Sequence, residues 1–260
     1  MTARPLIALL SALCATAIAV AEPVDAEQDP IPVPVENPRR HADTDQPEKP
    51  GTPDATPAEE AKEEEPPPDP PPPAPDEAAL ARCETELRAL GAVFEREDAI
   101  DGPGACGLAA SYQVSQIVTG VSLAPATEMR CATALATARW ISTVVRPAAH
   151  VFGDEVRLTG IRHASTYVCR TRNSQPGAKM SEHALGNAID IRRFEFDGHD
   201  PLEIKPRKRT GSREESFQKA VQAGACLHFT TVLGPGSDAF HDDHIHLDLA
   251  SRTRGYRLCQ

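Results

Sequence analysis

The sequence of 260 residues is poor in aromatic side chains, and these are unevenly placed. Aromatic residues make up 4% of the chain, and none of them precedes residue 77. The chain also lacks an apolar run of about 18 residues, which excludes a protein with several membrane-spanning helices. It has no excess of basic residues either, since its net charge is −11. A nucleic-acid-binding protein is therefore excluded, because that function needs a basic surface.

The negative charge is concentrated in residues 22–76. This stretch has sixteen acidic residues against four basic ones and holds 17 of the 25 prolines, whereas residues 77–260 have 22 of each charge. Without aromatic residues, the stretch cannot bury enough apolar surface to offset the entropy of ordering. We expect a disordered linker rich in proline and glutamate over residues 22–76, with extended segments of polyproline type.

The first 21 residues have the pattern of a cleaved signal peptide. Arg4 precedes the apolar run Leu6 to Val20, and Ala19-Val20-Ala21 offers the small residues that signal peptidase recognises. The alternative is a membrane anchor, but about 15 apolar residues are short for a span of about 20. Leu13 before Cys14 argues against lipidation. The sequence thus predicts a periplasmic or secreted protein with no stable membrane insertion after cleavage.

Six cysteines remain once Cys14 is removed with the signal peptide. An even number in an exported chain predicts three disulfides. A metal site built from thiolates is the alternative, but no C-x-x-C pair is present. Six cysteines allow 15 pairings, and of these we favour only the pair Cys226 and Cys259, which would fasten the C-terminus.

Residues 77–260 are expected to form one folded domain with three helices. Each helix has recognisable end signals: Asp76 and Gly91 for the first, Pro125 and Pro147 for the second, and the capping box of Ser212 and Glu215 for the third. The predicted helices are Glu77 to Leu90, Ala126 to Val145 and Arg213 to Ala225.

Strands are predicted mainly in the second half of this domain, from runs of β-branched and apolar residues. They are Val156 to Ile161, Thr166 to Arg170, Ala188 to Phe196, Phe229 to Leu233 and His244 to Leu249. Because helices come early and strands follow at short intervals, we expect an α+β fold with a central antiparallel sheet flanked by helices.

Two polar segments lie beside predicted strands, Ser181 to Asp190 and His241 to His246. In the second segment a strand would place His244 and His246 on one face, because side chains alternate along a strand. In the first, Gly186 permits a tight turn, so that side chains on either side of it can converge. Such groupings of histidine and carboxylate are typical of catalytic zinc sites that keep an open position.

The first segment matches the S-x-H-x-x-G-x-A-x-D signature of the zinc peptidases that include lysostaphin, D-Ala-D-Ala metallopeptidases and hedgehog-like proteins. The H-x-x-H-x-H pattern of His241 to His246 resembles penicillin-insensitive murein endopeptidases. Residues 77–260 as a whole are most similar to the bacterial extensin-like C-terminal domain family, through Cys169-Arg170, Leu233-Gly234-Pro235-Gly236, His246-Leu247-Asp248-Leu249 and Cys259.

These resemblances imply a fold and a set of residue roles. The fold would be that of the hedgehog and D-Ala-D-Ala peptidase domains, with zinc bound by His183, Asp190 and His246. His244 would be the general base and His241 its helper. Asp243 is a further candidate base, because it stands where the carboxypeptidase branch has glutamate. Arg170 and Tyr167 would bind a carboxylate of the substrate, and Arg172 is an alternative to Arg170.

The sequence therefore predicts an exported zinc metallopeptidase that cleaves peptide cross-links in peptidoglycan. Its expected partners are peptidoglycan peptides, and nothing in the sequence predicts a protein partner. One alternative is a catalytically inactive protein that keeps zinc and binds cell-wall fragments. A non-haem iron oxygenase also uses two histidines and one carboxylate, but it usually takes its first histidine and carboxylate from one short H-x-D/E segment.

Overall fold

The computed structural model of the protein describes residues 76–260. The predicted signal peptide, and the predicted linker up to residue 75, lie outside the described residues. The α-helices are α1 (Glu77–Ala89), α2 (Cys131–Trp140), α3 (Arg146–Ala149) and α4 (Arg213–Ala225). The strands are β1 (Val93–Glu97), β2 (Ile100–Asp101), β3 (Gly107–Leu108), β4 (Ser111–Val118), β5 (Val121–Met129), β6 (Arg157–Ser165), β7 (Ala188–Asp197), β8 (Leu202–Glu203), β9 (Thr231–Leu233), β10 (Ile245–Asp248) and β11 (Leu258–Cys259).

One nine-stranded sheet organises the described chain. Its order is β1-β4-β5-β6-β7-β10-β9-β11, with β8 beside β7, while β2 and β3 form a separate small ribbon. Most neighbours are antiparallel, but β5 and β6 run parallel, and so do β9 and β11. The predicted α+β class is confirmed, whereas the predicted antiparallel sheet is in fact mixed. The chain between β5 and β6 passes through α2 and α3, and such a long helical crossover allows parallel pairing.

Two of the three predicted helices are confirmed, with their predicted caps. The Asp76 side chain accepts hydrogen bonds from the backbone N–H groups of Ala78 and Ala79 at the start of α1. At the start of α4, the Ser212 hydroxyl accepts from the N–H of Glu215 at 3.2 Å. Both caps satisfy backbone donors that have no partner inside the helix.

The second helix differs from the prediction at both ends. Residues up to Met129 belong to β5, where Met129 is fully buried and pairs with Tyr112 of β4, so packing overrides the helical propensity of this stretch. At the other end, the helix continues through the π-helical turn Ile141–Val145 into α3, which contains Pro147. A π turn widens the helix, and this accommodates a proline that would otherwise clash with the preceding turn.

The predicted strand Thr166 to Arg170 is also wrong, because this segment is irregular. The N–H of Val168 donates to the carbonyl of His183 at 3.3 Å, and Cys169 is bonded to Cys106. The backbone is thus engaged with the loop that follows it. The other four predicted strands correspond to β6, β7, β9 and β10, although no element is predicted for residues 91–125, which contain β1 to β4 and the start of β5.

An aromatic cluster forms the centre of the core between the sheet and helices α2 and α4. Trp140 is fully buried, contacts Phe194 and Phe229, and donates from its ring nitrogen to the backbone carbonyl of Val221 at 3.0 Å. Phe217 of α4 packs edge to face on Phe194 at a centroid distance of 5.2 Å. These contacts fix the two helices on one face of the sheet, which leaves the other face of β7 and β10 available.

Three disulfides connect the described chain, as the cysteine count predicts. They join Cys83 to Cys131, Cys106 to Cys169 and Cys226 to Cys259, and the last is the favoured pair. Disulfides of this kind form in oxidising compartments outside the cytoplasm. Within residues 76–260, no helix has both the length and the hydrophobicity needed to cross a bilayer.

Candidate metal centre

Ser181 and Gly186 of the first motif shape the turn that positions His183. The Ser181 hydroxyl accepts from the backbone N–H of His183 at 3.3 Å and begins a short 3-10 turn. Gly186 ends that turn with a φ of 60°, and a Cβ there would lie 2.6 Å from Leu108. A side chain at this position would therefore be both strained and crowded. The turn buries His183 and leads directly into β7.

Strand pairing brings the other two residues of the predicted ligand set together. Asp190 on β7 lies opposite His246 on β10 in the antiparallel register. The neighbours of these two residues along each strand point to the core, so Asp190 and His246 share the opposite face. The open face of the sheet thus presents one carboxylate and one imidazole side by side.

The three side chains meet in a compact group. The distance from His183 Nε2 to His246 Nδ1 is 3.2 Å, and that from His183 Nε2 to Asp190 Oδ2 is 3.1 Å. His246 Nδ1 lies 2.9 Å from Asp190 Oδ1. Ligand atoms around a tetrahedral zinc ion, with bonds of about 2.0–2.1 Å, lie about 3.3 Å apart. The observed spacing therefore fits three ligands of such an ion, and this group could hold a metal.

Hydrogen bonds behind each imidazole fix which ring nitrogen faces inward. His183 donates from Nδ1 to the carbonyl oxygen of Thr166 at 2.6 Å, and His246 donates from Nε2 to Asp248 Oδ2 at 3.1 Å. With those protons on the outer nitrogens, the inner nitrogens carry lone pairs directed at the Asp190 carboxylate. Metal-binding histidines have this arrangement almost without exception.

The site favours positive charge between these side chains. Burial alone would raise the pKa of the Asp190 carboxyl, yet interactions with His183 and His246, with a proton lying among the three side chains, hold that pKa well below its usual range. Burial would likewise lower the pKa of His246, but hydrogen bonds to Asp190 and Asp248 raise it to about 9. Three acceptors converging in a buried place are compatible only with a cation or a proton among them. The residues present therefore fit a divalent metal.

The remaining two histidines of the second motif lie next to this group. His241 donates from Nδ1 to Asp238 at 2.8 Å, and its ring centroid is 5.3 Å from that of His244. His244 donates from Nδ1 to Asp243 at 2.9 Å, and its Nε2 lies 3.6 Å from Asp190 Oδ1. Each ring thus has a carboxylate on one nitrogen and a free lone pair on the other, which is the pattern of a general base.

Asp243 itself is turned outward. Its side chain is 65% exposed, lies 3.8 Å from Arg192 and does not line the cleft above the ligand group.

Burial lowers the pKa of His241, although its hydrogen bond with Asp238 acts in the opposite direction. Burial therefore favours the neutral form of His241, which is able to accept a proton.

The ligand group lies at the floor of a cleft of about 420 Å³. Arg170 lines this cleft, as does Arg172. Tyr167 does not, because its hydroxyl lies beside Gly102. The structure thus brings six of the eight predicted site residues to the cleft, whereas Asp243 is turned outward and Tyr167 packs elsewhere.

Several residues around the centre are missed by the sequence analysis. Asp248 alternates with His244 and His246 along the strand, as the sequence indicates, but its role as a partner of His246 is not predicted. Asp238 lies three residues before His241, but a lone aspartate in a loop gives no distinctive pattern. The same is true of Phe240, which lines the cleft with 60% of its surface exposed.

The fold and the site together define a disulfide-bonded α+β domain that carries a histidine and aspartate group suited to a metal. The chain belongs to the family of the extensin-like protein C-terminus, whose model matches residues 81–260. No curated protein and no solved structure matches the chain.

Proposed function

We propose that this protein is a zinc-dependent peptidase that cleaves peptide cross-links in peptidoglycan, with a domain related to the lysostaphin, D-Ala-D-Ala metallopeptidase and hedgehog group. The observation that carries the proposal is the convergence of His183, Asp190 and His246 within 3.2 Å of one another, with both imidazoles oriented from behind. The S-x-H-x-x-G-x-A-x-D and H-x-x-H-x-H motifs supply the link to peptidases of this group.

The proposed ligands are His183, Asp190 and His246. A zinc ion held there would supply Lewis-acid chemistry, by polarising a carbonyl oxygen and acidifying water. The set has two neutral imidazoles and one carboxylate, which is typical of catalytic rather than structural zinc sites. The buried Thr166 carbonyl and Asp248 carboxylate hold the two imidazoles in place.

Proton transfer is assigned to the histidines outside the ligand set. His244 has its Nε2 directed toward the ligand group, and Asp243 keeps the proton on its Nδ1. We assign His244 as the base that accepts a proton and returns it to the leaving amine. His241, held by Asp238, assists from the adjacent side of the cleft. Arg170 on the cleft wall would bind a carboxylate of the peptide.

Peptidoglycan as the substrate agrees with the proposed location. Three disulfides are typical of a protein that folds outside the cytoplasm. The N-terminal sequence has the pattern of a signal peptide, and we therefore propose a periplasmic or secreted enzyme.

The decisive experiment compares purified zinc-loaded protein with three variants on isolated sacculi, with products identified by mass spectrometry. The wild type should release new muropeptides, and His183→Ala should release none. His244→Gln should bind zinc but lose turnover. His163→Ala is the matched control, because His163 bonds the Pro125 carbonyl and does not line the cleft.

The outcomes separate the proposal from its rivals. Identical products from the wild type and His183→Ala would refute a peptidase. Stoichiometric zinc and tight binding of wall fragments without turnover would identify an inactive binding protein. Iron found by elemental analysis after anaerobic purification would instead indicate an oxygenase site.

A further inference from the structure

A third arginine lines the cleft, at a place that the sequence motifs do not indicate. Arg252 follows β10 and donates from Nη2 to the Thr231 hydroxyl at 2.6 Å. Its Nε is buried without a hydrogen-bond partner among residues 76–260, and its guanidinium lies 5.9 Å from the ring centroid of Tyr256. A partly buried guanidinium whose side-chain hydrogen bond goes to a neutral group is short of acceptors.

The carboxylates of the cleft are already engaged with other groups. Asp190 and Asp248 contact His246, at 2.9 and 3.1 Å. Asp238 accepts from His241 at 2.8 Å, and Glu182 accepts from the amide of Asn187 at 2.7 Å. Each of these four acids thus has a hydrogen-bond partner already, and none of them forms an ion pair with an arginine of the cleft within residues 76–260.

The arginines of the cleft accordingly have no acidic partner in the described part of the chain. Neither Arg170 nor Arg172 nor Arg252 forms an ion pair within residues 76–260, whereas Arg192 and Arg193 nearby do so. Unpaired guanidinium groups on a cleft wall favour an anionic ligand, and their planar shape suits a carboxylate.

Strand order places these arginines on opposite sides of the metal centre. Arg170 lies in the irregular segment after β6, where its carbonyl accepts from the N–H of Ser181 at 3.1 Å, and Arg252 is bonded to Thr231 on β9. Between β6 and β9 lie β7 and β10, which carry Asp190 and His246. Three strand spacings amount to about 14 Å, and an extended peptide covers that distance with about four residues.

We propose that Arg252 forms a second carboxylate-binding subsite, on the β9 side of the metal centre and opposite Arg170. This rests on the proposed function and deepens it, since the substrate is then a peptide with acidic groups on both sides of the scissile bond. A peptide cross-link that keeps free carboxylates on both sides of the scissile bond meets that requirement. The proposed enzyme then recognises charge on both sides of the bond.

The test uses three synthetic cross-linked peptides that contain D-alanine and diaminopimelate. One has free carboxylates on both sides of the bond, and in each of the others the carboxylates of one side are carboxamides. Turnover and binding are measured with the zinc-loaded full chain. For the wild type, each amidation should lower kcat/KM about 10- to 100-fold, as expected for a hydrogen bond between charged groups.

In Arg252→Gln, amidation on one side of the bond should no longer lower kcat/KM. The peptide amidated on that side and the peptide with free carboxylates on both sides should then be cleaved within about twofold of each other. In Arg170→Gln, amidation on the other side of the bond should no longer lower kcat/KM. Arg252→Lys keeps the charge and should retain part of the preference, which provides a second test if the glutamine variant is poorly folded. Arg254→Gln is the matched control, because Arg254 is exposed on the same loop and does not line the cleft.

A merely structural role for Arg252 would give a different result. If Arg252→Gln lowers kcat/KM equally for all three peptides, or for none, the subsite is refuted even though the enzyme is a peptidase. If the wild type cleaves none of the peptides but binds them with a preference that depends on Arg252, the subsite stands and the proposed reaction fails. Absence of both cleavage and binding refutes the two together.

Discussion

The two faces of the strand pair β7 and β10 have different roles. On one face, Ile189 and Leu247 are fully buried and belong to the same core as Trp140. On the other face, Asp190 and His246 are held in a network of hydrogen bonds at the floor of the cleft. The strand alternation allows residues adjacent in sequence to serve stability and chemistry separately.

This difference shows where the rigidity of the metal centre comes from. The ligands on β7 and β10 are positioned by a packed core behind them, whereas His183 comes from a loop. That loop is secured by the Thr166 carbonyl, by Gly186 and by the disulfide between Cys106 and Cys169. A site on rigid strands with one ligand on a braced loop is well suited to keep its geometry before a metal binds.

The largest effect is expected from removing a ligand on the cleft face. His246→Ala should abolish stoichiometric zinc binding, because two of the three proposed ligands cannot hold the ion in the same way. The zinc content measured by elemental analysis after dialysis should fall from about one ion per chain toward none, while the far-ultraviolet circular dichroism spectrum stays native. One zinc retained per chain would contradict the assignment of this face.

The adjacent residue on the core face should show the reverse. Leu247→Ala should lower the free energy of unfolding by about 3–5 kcal/mol, because it leaves a cavity in the packed core. Urea titration measures this loss, and the folded variant should still bind one zinc. Loss of zinc at temperatures where the variant remains folded would show that the two faces are not independent.

Strands β7 and β10, which form the core face, could be predicted from the sequence more fully than residues 91–125, for which no element is predicted. Strands β7 and β10 have clear alternation, and α1 and α4 have caps that depend only on neighbouring residues. The sequence predicts a helix from Ala126, because Pro125 and the alanine-rich run after it favour one, but Thr127 pairs with Val114 of the preceding strand β4 in a hairpin. Strand formation there depends on cross-strand contacts, which the propensities of single residues do not reveal.

The residues of the candidate site could be predicted from the sequence, but the groups that hold those residues in position could not. The spacing of His183, Asp190, His241, His244 and His246 in two motifs points to one centre. Asp238 and the Thr166 carbonyl contribute through positions that the loops determine, and any residue can supply a carbonyl. Arg252 is found only when strand order shows which side of the centre it occupies.

Disulfide removal should sharpen the contrast between the two regions. Replacing either Cys83 and Cys131 or Cys106 and Cys169 with serine should lower the free energy of unfolding by about 2–4 kcal/mol, because each bridge closes a long loop. Only the second pair should also weaken zinc binding, since Cys169 lies in the loop that supports His183. Competition with a chelator of known affinity measures this, and equal zinc affinities in both double variants would disprove the bracing role.

The smallest predicted effect concerns the hydrogen bonds behind the imidazoles. Asp248→Asn keeps the shape of the side chain but removes the charge that holds the proton on Nε2 of His246. Zinc affinity should fall about 10- to 100-fold, as is usual for partners of metal-binding histidines. Asp238→Asn is the matched comparison, because Asp238 holds His241, which is not a proposed ligand. Asp238→Asn should slow turnover and leave zinc affinity unchanged. An equal loss of zinc affinity in both variants would mean that His241 belongs to the ligand set. The division of these histidines between metal binding and proton transfer would then be wrong.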